Sequence, residues 1–176
     1  MFRKLLFPAV SLILFAGSLF GQSHPNDIIE KSKSSWDLPI PGYIAIQDNK
    51  YRVRERVYDL TDSSWRFISD SCYAVKAVFA GKVIELFEIE GSVSILTRFG
   101  DYFLLYSNLS NSTIEKGETI EAGRVLGKMR KEVDGEIYLD FSIMKGNKMI
   151  GPQSWFKRGS GVQHSICKSG QQYPAK

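Results

Sequence analysis

The chain has 176 residues, 43% of them hydrophobic and 24% charged, with 23 basic residues against 19 acidic ones. That is material for one domain with a real core plus short extensions, and two domains would be crowded. No Lys/Arg cluster with interleaved aromatics stands out, so the positive balance does not argue for nucleic acid.

Arg3 and Lys4 precede an apolar run from Leu5 to Phe20, with small Ser18 and Gly21 near its end and polar Gln22-Ser23 beyond. This is the layout of a secretory signal peptide over residues 1–22, with cleavage expected near Gly21. An uncleaved anchor is the competing reading, because the run is only slightly short for a bilayer span. In either case the protein is expected to be exported, to the periplasm or cell envelope, and membrane contact is expected only through such an anchor. Without residues 1–22 the balance becomes 21 basic against 19 acidic residues, a net charge of +2. Cys72 and Cys167 are far apart in sequence. In an exported protein they form either one bridge or two free thiols, and sequence does not supply the distance that decides.

Residues 23–50 are polar and broken by Pro25, Pro39, Pro41 and Gly42. They read as a mobile lead-in or linker with at most one short helix, Asn26 to Lys33, capped by Asn26. Tyr51 to Tyr58 alternates strictly, which on a single strand places Arg52, Arg54 and Arg56 on one face. That face is either a solvated side of a sheet or a strip for an acidic polymer.

Beyond Trp65, short apolar runs are punctuated by glycine: Cys72–Phe79, Lys82–Ile89, Ser92–Thr97 and Tyr102–Ser107, then a polar turn from Asn108 to Thr113. Gly117 and Gly123 bracket a very short strand around Glu-Thr-Ile, and Val125–Met129 and Gly135–Ile143 supply further strands. A hairpin turn at Lys145–Lys148 and an aromatic plug at Trp155-Phe156 close the domain at residue 157. The remainder, 158–176, reads as a loose tail. Short strands at this spacing, with almost no helical periodicity, predict an all-β antiparallel sandwich or barrel-like domain over residues 51–157.

Several pieces occur in a telling order: Val75-x-Ala77, Gly81-x-Val83, Tyr106-Ser107-Asn108-Leu109-Ser110, Gly117-x-x-Ile120-x-x-Gly123-x-x-Leu126-Gly127, Tyr138-Leu139-Asp140-Phe141-Ser142-Ile143 and Ile150-x-Pro152-x-x-Trp155. The set resembles the lysostaphin/LytM-type peptidoglycan endopeptidases. Active members of that family carry an early His-x-x-x-Asp pair, a His in Tyr-x-His-Leu-Ser and a late His-Leu-His triplet. Carried over, the late histidines fall on Tyr138 and Asp140, the middle one on Asn108, and the early pair near Asp62 and Arg66. On a strand, Leu139, Phe141 and Ile143 would face a core while Tyr138, Asp140 and Ser142 face a cleft. The resemblance therefore implies a zinc-site scaffold with its imidazoles replaced. Catalytic zinc wants three protein ligands and an open position, so zinc hydrolysis, a resident metal and a cofactor are not expected.

What the resemblance then implies is a non-catalytic envelope module. It would bind peptidoglycan or regulate a cell-wall hydrolase such as an amidase, through a degenerate groove containing Asn108, Tyr138, Asp140, Tyr106, Asp62 and Arg66. The alternatives are a weak or altered-metal cell-wall hydrolase using Asp140 and Asp62, and a purely structural envelope protein using the Arg52/Arg54/Arg56 strip. His164 near Cys167 reads as incidental, and the sequons at Asn108 and Asn111 read as turn residues. A weaker likeness to biotinyl/lipoyl carrier barrels would point to Lys128-Met129, but that pair falls inside a strand.

Overall fold

The computed structural model describes residues 23–157, apart from residues 44, 49, 54–55 and 60–63. The expectations for the signal peptide, Asp62, His164, Cys167 and the C-terminal tail lie outside the described residues.

The first described segment is not a loose linker. A short helix, α1 (Pro25–Lys31), is capped by His24, whose Nδ1 accepts from the Asn26 N–H. Asn26, the expected cap, instead ties the helix to the β-domain: its Nδ2 donates to Asp101 Oδ2 at 2.6 Å and its Oδ1 accepts from the Asp101 N–H at 2.9 Å. The Glu30 carboxylate accepts from Tyr102 Oη and Lys145 Nζ. Its pKa is held below the ordinary carboxylate value by hydrogen bonds from Lys33 and Lys145. Ile29, Trp36 and Ile40 are buried. Trp36 stacks among Phe79, Trp155 and Phe156 and pairs its backbone with Trp155 and Lys157, so the two ends of the described chain are stapled through aromatic area.

The rest is β-structure: β1 (Ala45–Asp48), β2 (Lys50–Val53), β3 (Arg56–Asp59), β4 (Ser64–Ser69), β5 (Ala74–Lys76), β6 (Gly81–Ile89), β7 (Ser92–Phe99), β8 (Tyr102–Asn111), β9 (Thr119–Ile120), β10 (Val125–Lys131), β11 (Ile137–Lys145) and β12 (Lys148–Ile150). The all-β antiparallel class read from the sequence is borne out. The large sheet runs β1-β4-β11-β10-β8-β7-β6-β9, with β11 also pairing β8, β12 pairing β11, and β5 pairing β10.

Tyr51 to Tyr58 is not one strand. It is the hairpin β2–β3, with Tyr51 opposite Tyr58, Arg52 opposite Val57 and Val53 opposite Arg56. Directly opposed residues share a face. Arg52 and Arg56 therefore hold register positions on opposite faces, against the expectation from alternation, and Arg54 lies outside the described residues. The physical reason is that β2 and β3 are antiparallel partners, so a period of two counted straight through the run does not hold.

Tyr102–Ser107 was expected to end in a turn at Asn108. Instead β8 continues to Asn111, because Asn108 adopts a left-handed φ of 71° and the strand changes partner there. Residues 102–107 of β8 pair with β11, and Leu109 and Asn111 pair with β10. The crossing is tight. A Cβ on Gly127 of β10 would lie 2.1 Å from the Asn111 carbonyl oxygen, so only glycine fits. The short strand between Gly117 and Gly123 is present as β9, with both glycines at positive φ as the turns require.

One face of the large sheet is the core, carrying Phe67, Val83, Ile95, Leu104, Tyr106, Leu139, Phe141 and Ile143. The register puts Arg66, Tyr138, Asp140, Leu105, Arg98 and Lys82 on the other face.

Candidate functional site

The late strand is two-faced as its sequence implies. Leu139, Phe141 and Ile143 are fully buried, while Tyr138 and Asp140 are partly exposed on the opposite side. Ser142 departs from the pattern: it is buried, opposite Ser64.

Pairing of β11 with β4 sets Arg66 directly opposite Asp140. Arg66 donates from Nε to Asp140 Oδ1 and from Nη2 to Asp140 Oδ2, each at 2.8 Å. This is the planar two-point fork that guanidinium and carboxylate make best. The same guanidinium lies over the Tyr138 ring, its Cζ 3.8 Å from the centroid. Side-chain exposures of 28% for Arg66 and 13% for Asp140 place the pair largely out of water, where a fork of this quality outlasts a surface ion pair. Burial pushes the Tyr138 phenol above its ordinary pKa. Arg66 pulls it back, and Asp140, Glu132 and Glu136 add to the rise.

Asn108 completes this corner from beneath. It is 4% exposed, its Nδ2 donates to the Tyr138 carbonyl at 3.1 Å, and its Oδ1 accepts from Ser92 Oγ at 3.3 Å. Both polar ends of the amide are engaged in holding β7, β8 and β11 together. Asparagine is the residue type that best tolerates the φ of 71° after glycine.

Tyr106 is fully buried on the core face, and its hydroxyl accepts from the Val78 N–H at 3.0 Å. Burial pushes its phenol far above the ordinary range. The structure thus brings Arg66, Tyr138, Asp140 and Asn108 to one corner, and places Tyr106 behind the sheet rather than on the groove surface. Cys72 is an exposed thiol, and the partner considered for it, Cys167, lies outside the described residues.

The corner can be tested against zinc on its donor chemistry. Asp140 offers a carboxylate, but both oxygens already accept from a cation. Tyr138 offers a protonated phenol covered by that cation, and the Asn108 amide is consumed by the fold. Among the described residues no three of His, Cys, Asp or Glu come together in a ligand set. These residues do not fit a zinc ion, because a fixed positive guanidinium stands beside the carboxylate that would have to bind it. The resemblance places the early pair near Arg66 and gives no fork to Asp140. The signal that finds it is the pairing of β4 with β11, which sequence spacing does not specify.

No curated protein sequence matches the chain. Among solved structures, the chain is similar to Csd3 of Helicobacter pylori, with 15% identity, a TM-score of 0.55, and coverage of 69% of this chain and 34% of that one. It is also similar to a chain of the complex of SpoIIIAH and SpoIIQ, with 14% identity, a TM-score of 0.57, and coverage of 69% and 99%. A second structure, titled as the SpoIIQ-SpoIIIAH pore forming complex, aligns at 16% identity and a TM-score of 0.53, covering 66% and 78%. The chain spans about a third of the length of Csd3. At these identities the likeness is one of fold. The family model of peptidase family M23 matches residues 65–152, the stretch from β4 to the turn after β12 that holds the whole corner. The LytM-type resemblance is therefore real, and the chain belongs to peptidase family M23.

Proposed function

We propose that this chain is a non-catalytic M23 module of the bacterial cell envelope that binds peptidoglycan or regulates a cell-wall hydrolase such as an amidase. The observation that carries the proposal is the Arg66–Asp140 fork: an intramolecular cation occupies the carboxylate that the scaffold aims outward. Hydrolysis on this scaffold needs a metal-bound water and groups that move protons near neutral pH. A forked carboxylate and a phenol held protonated provide neither. What remains is a polar, aromatic corner on a partly exposed sheet face, which suits recognition of a peptide strand.

Export to the envelope is part of the same reading and rests on the family and on the sequence of residues 1–22. Among the described residues no helix is long and apolar enough to cross a membrane. Protein recognition as a use of this scaffold is supported by the fold's presence in the complex of SpoIIIAH and SpoIIQ.

The test is to incubate the purified protein with sacculi and, separately, with periplasmic amidases. Co-sedimentation with sacculi or stimulated amidase turnover is expected, and Arg66→Ala should weaken whichever response occurs. Absence of both responses overturns the proposal. Clearing of a cell-wall suspension by the protein alone, accompanied by stoichiometric bound metal, would replace it with the hydrolase reading.

A further inference from the structure

On the same sheet face, but far from the forked corner, three cations converge, one of them also meeting a surface carboxylate. Lys82 on β6 and Arg98 on β7 are direct cross-strand partners. Like charges directly opposed across an antiparallel pair repel and destabilise it, so this register is a cost that the fold carries. A third cation, Lys116, approaches from the turn before β9. Together with Val83, Gly100 and Gly117 they line a concavity of about 580 Å³. Gly100 and Gly117 both have positive φ, 60° and 91°, and leave its rim without side chains.

Arg98 is preset for a ligand. Its Nε donates to the Gly100 carbonyl at 2.7 Å and its guanidinium lies over Phe103, which orients the plane while the two Nη groups have no hydrogen-bond partner among the described residues. Lys82 Nζ likewise has none. Lys116 Nζ meets Glu85 at 2.6 Å, but both side chains are about half exposed, and such a surface pair yields readily to a stronger anion. The other nearby carboxylates are engaged elsewhere: Glu118 with Arg124 and the Glu115 N–H, and Asp101 with Asn26. The corner at Arg66 is three strands and four residues of strand away, on the order of 20 Å, so the two sites are separate.

We infer that Lys82, Arg98 and Lys116 form a binding site for a phosphate group. A guanidinium fork and two ammonium point charges on one concavity match the several oxygens and the charge of a phosphate better than a single carboxylate. The phosphate belongs either to a lipid headgroup or to a soluble phosphodiester polymer, and the chemistry at the site is the same for both. The inference does not depend on the reading of the forked corner.

The experiment titrates the 15N-labelled protein with inorganic phosphate and with a soluble glycerol-phosphate polymer, and measures co-sedimentation with phosphatidylglycerol vesicles against phosphatidylcholine vesicles. Backbone amide shifts confined to Lys82, Arg98, Gly100 and the 116–117 turn are expected, weakening as salt rises. Lys82→Ala and Arg98→Gln should each reduce affinity about tenfold, the loss of one charge-assisted hydrogen bond. Both positions are exposed, and an unchanged circular dichroism spectrum confirms that the variants fold. Vesicle binding that falls in the same variants assigns a lipid source, while polymer binding alone assigns a soluble one. Binding to none of the probes, shifts scattered over the surface, or binding undiminished in Lys82→Ala/Arg98→Gln overturns the inference.

Discussion

Two cross-strand pairs on one sheet face have the same geometry and opposite charge logic. Arg66 and Asp140 stand opposite each other across β4 and β11 and neutralise each other in a bidentate fork. Lys82 and Arg98 stand opposite each other across β6 and β7 and repel. The first pair includes Asp140, a position that the LytM-type resemblance marks, and it is closed on itself. The second sits where the family pattern marks nothing, and its charges face solvent. A likeness in sequence pattern thus points to one end of the face, whereas the unspent electrostatic energy lies at the other. Direct facing across a ladder is worth a few tenths to about 1 kcal/mol at exposed positions. Water exclusion around Arg66 and Asp140 makes their pairing matter more for stability, and the exposure of Lys82 and Arg98 makes theirs matter more for binding.

The comparison breaks most visibly if the fork is cut. Asp140→Ala should lower unfolding stability by about 2 kcal/mol, a value below that of a fully buried pair because Arg66 retains some contact with water. The check is a shift of the urea midpoint at constant slope. An unchanged midpoint would mean that the fork contributes nothing.

Asn108→Ala should cost between about 1 and 2 kcal/mol, because it removes the bond to the Tyr138 carbonyl and forces alanine to a φ of 71°. Asn108→Gly keeps the backbone unstrained, so the difference between the two variants separates strain from hydrogen bonding. If they are equal, the left-handed φ carries no cost.

Tyr106→Phe should cost about 1 kcal/mol by leaving the buried Val78 N–H without its acceptor. The same variant changes the alkaline limb. A phenol whose pKa is raised on folding contributes stability that is present below the unfolded value, about 10, and is lost as pH rises above it. The wild type should therefore lose stability above about pH 10 more steeply than Tyr106→Phe, as read by thermal melts across that range.

Tyr138→Ala should cost about 1 kcal/mol, since it removes the ring beneath the guanidinium, while Tyr138→Phe stays near wild type. Equal effects from both variants would transfer the role from the ring to the hydroxyl. The smallest change is expected at the other pair. Lys82→Glu turns repulsion into attraction and should raise stability by a few tenths of a kcal/mol while abolishing phosphate binding. A destabilised Lys82→Glu would show that the opposed cations are not in tension.

What is legible residue by residue is the two-faced late strand: the core-facing set Leu139, Phe141 and Ile143 follows from the period of two. Tyr138, Asp140 and Asn108, the residues that the LytM-type resemblance marks, come to one corner with Arg66. The departures have separate causes. Alternation puts Arg52, Arg54 and Arg56 on one face only if the run is a single strand, whereas β2 and β3 are antiparallel partners. The polar run from Asn108 to Thr113 reads as a turn because Asn and Ser favour turns, although the strand continues through a left-handed Asn108 with a new partner. Residues 23–50 read as a lead-in or linker because their polarity hides three anchors, Ile29, Trp36 and Ile40, spaced too widely for any periodic signal.

By itself, then, the sequence determined the strand class, the glycine turns, the two-faced late strand and the identities of Tyr138, Asp140 and Asn108 at the positions that the LytM-type resemblance marks. Each of these depends on local covalent geometry or on residue identity. Only the tertiary structure decided that Arg66 forks Asp140, that Asn108 is spent on the junction, that the lead-in belongs to the core, and that Lys82 faces Arg98. Each of those depends on which strand lies beside which and in what register, and non-local pairing is set by the packing of the whole sheet.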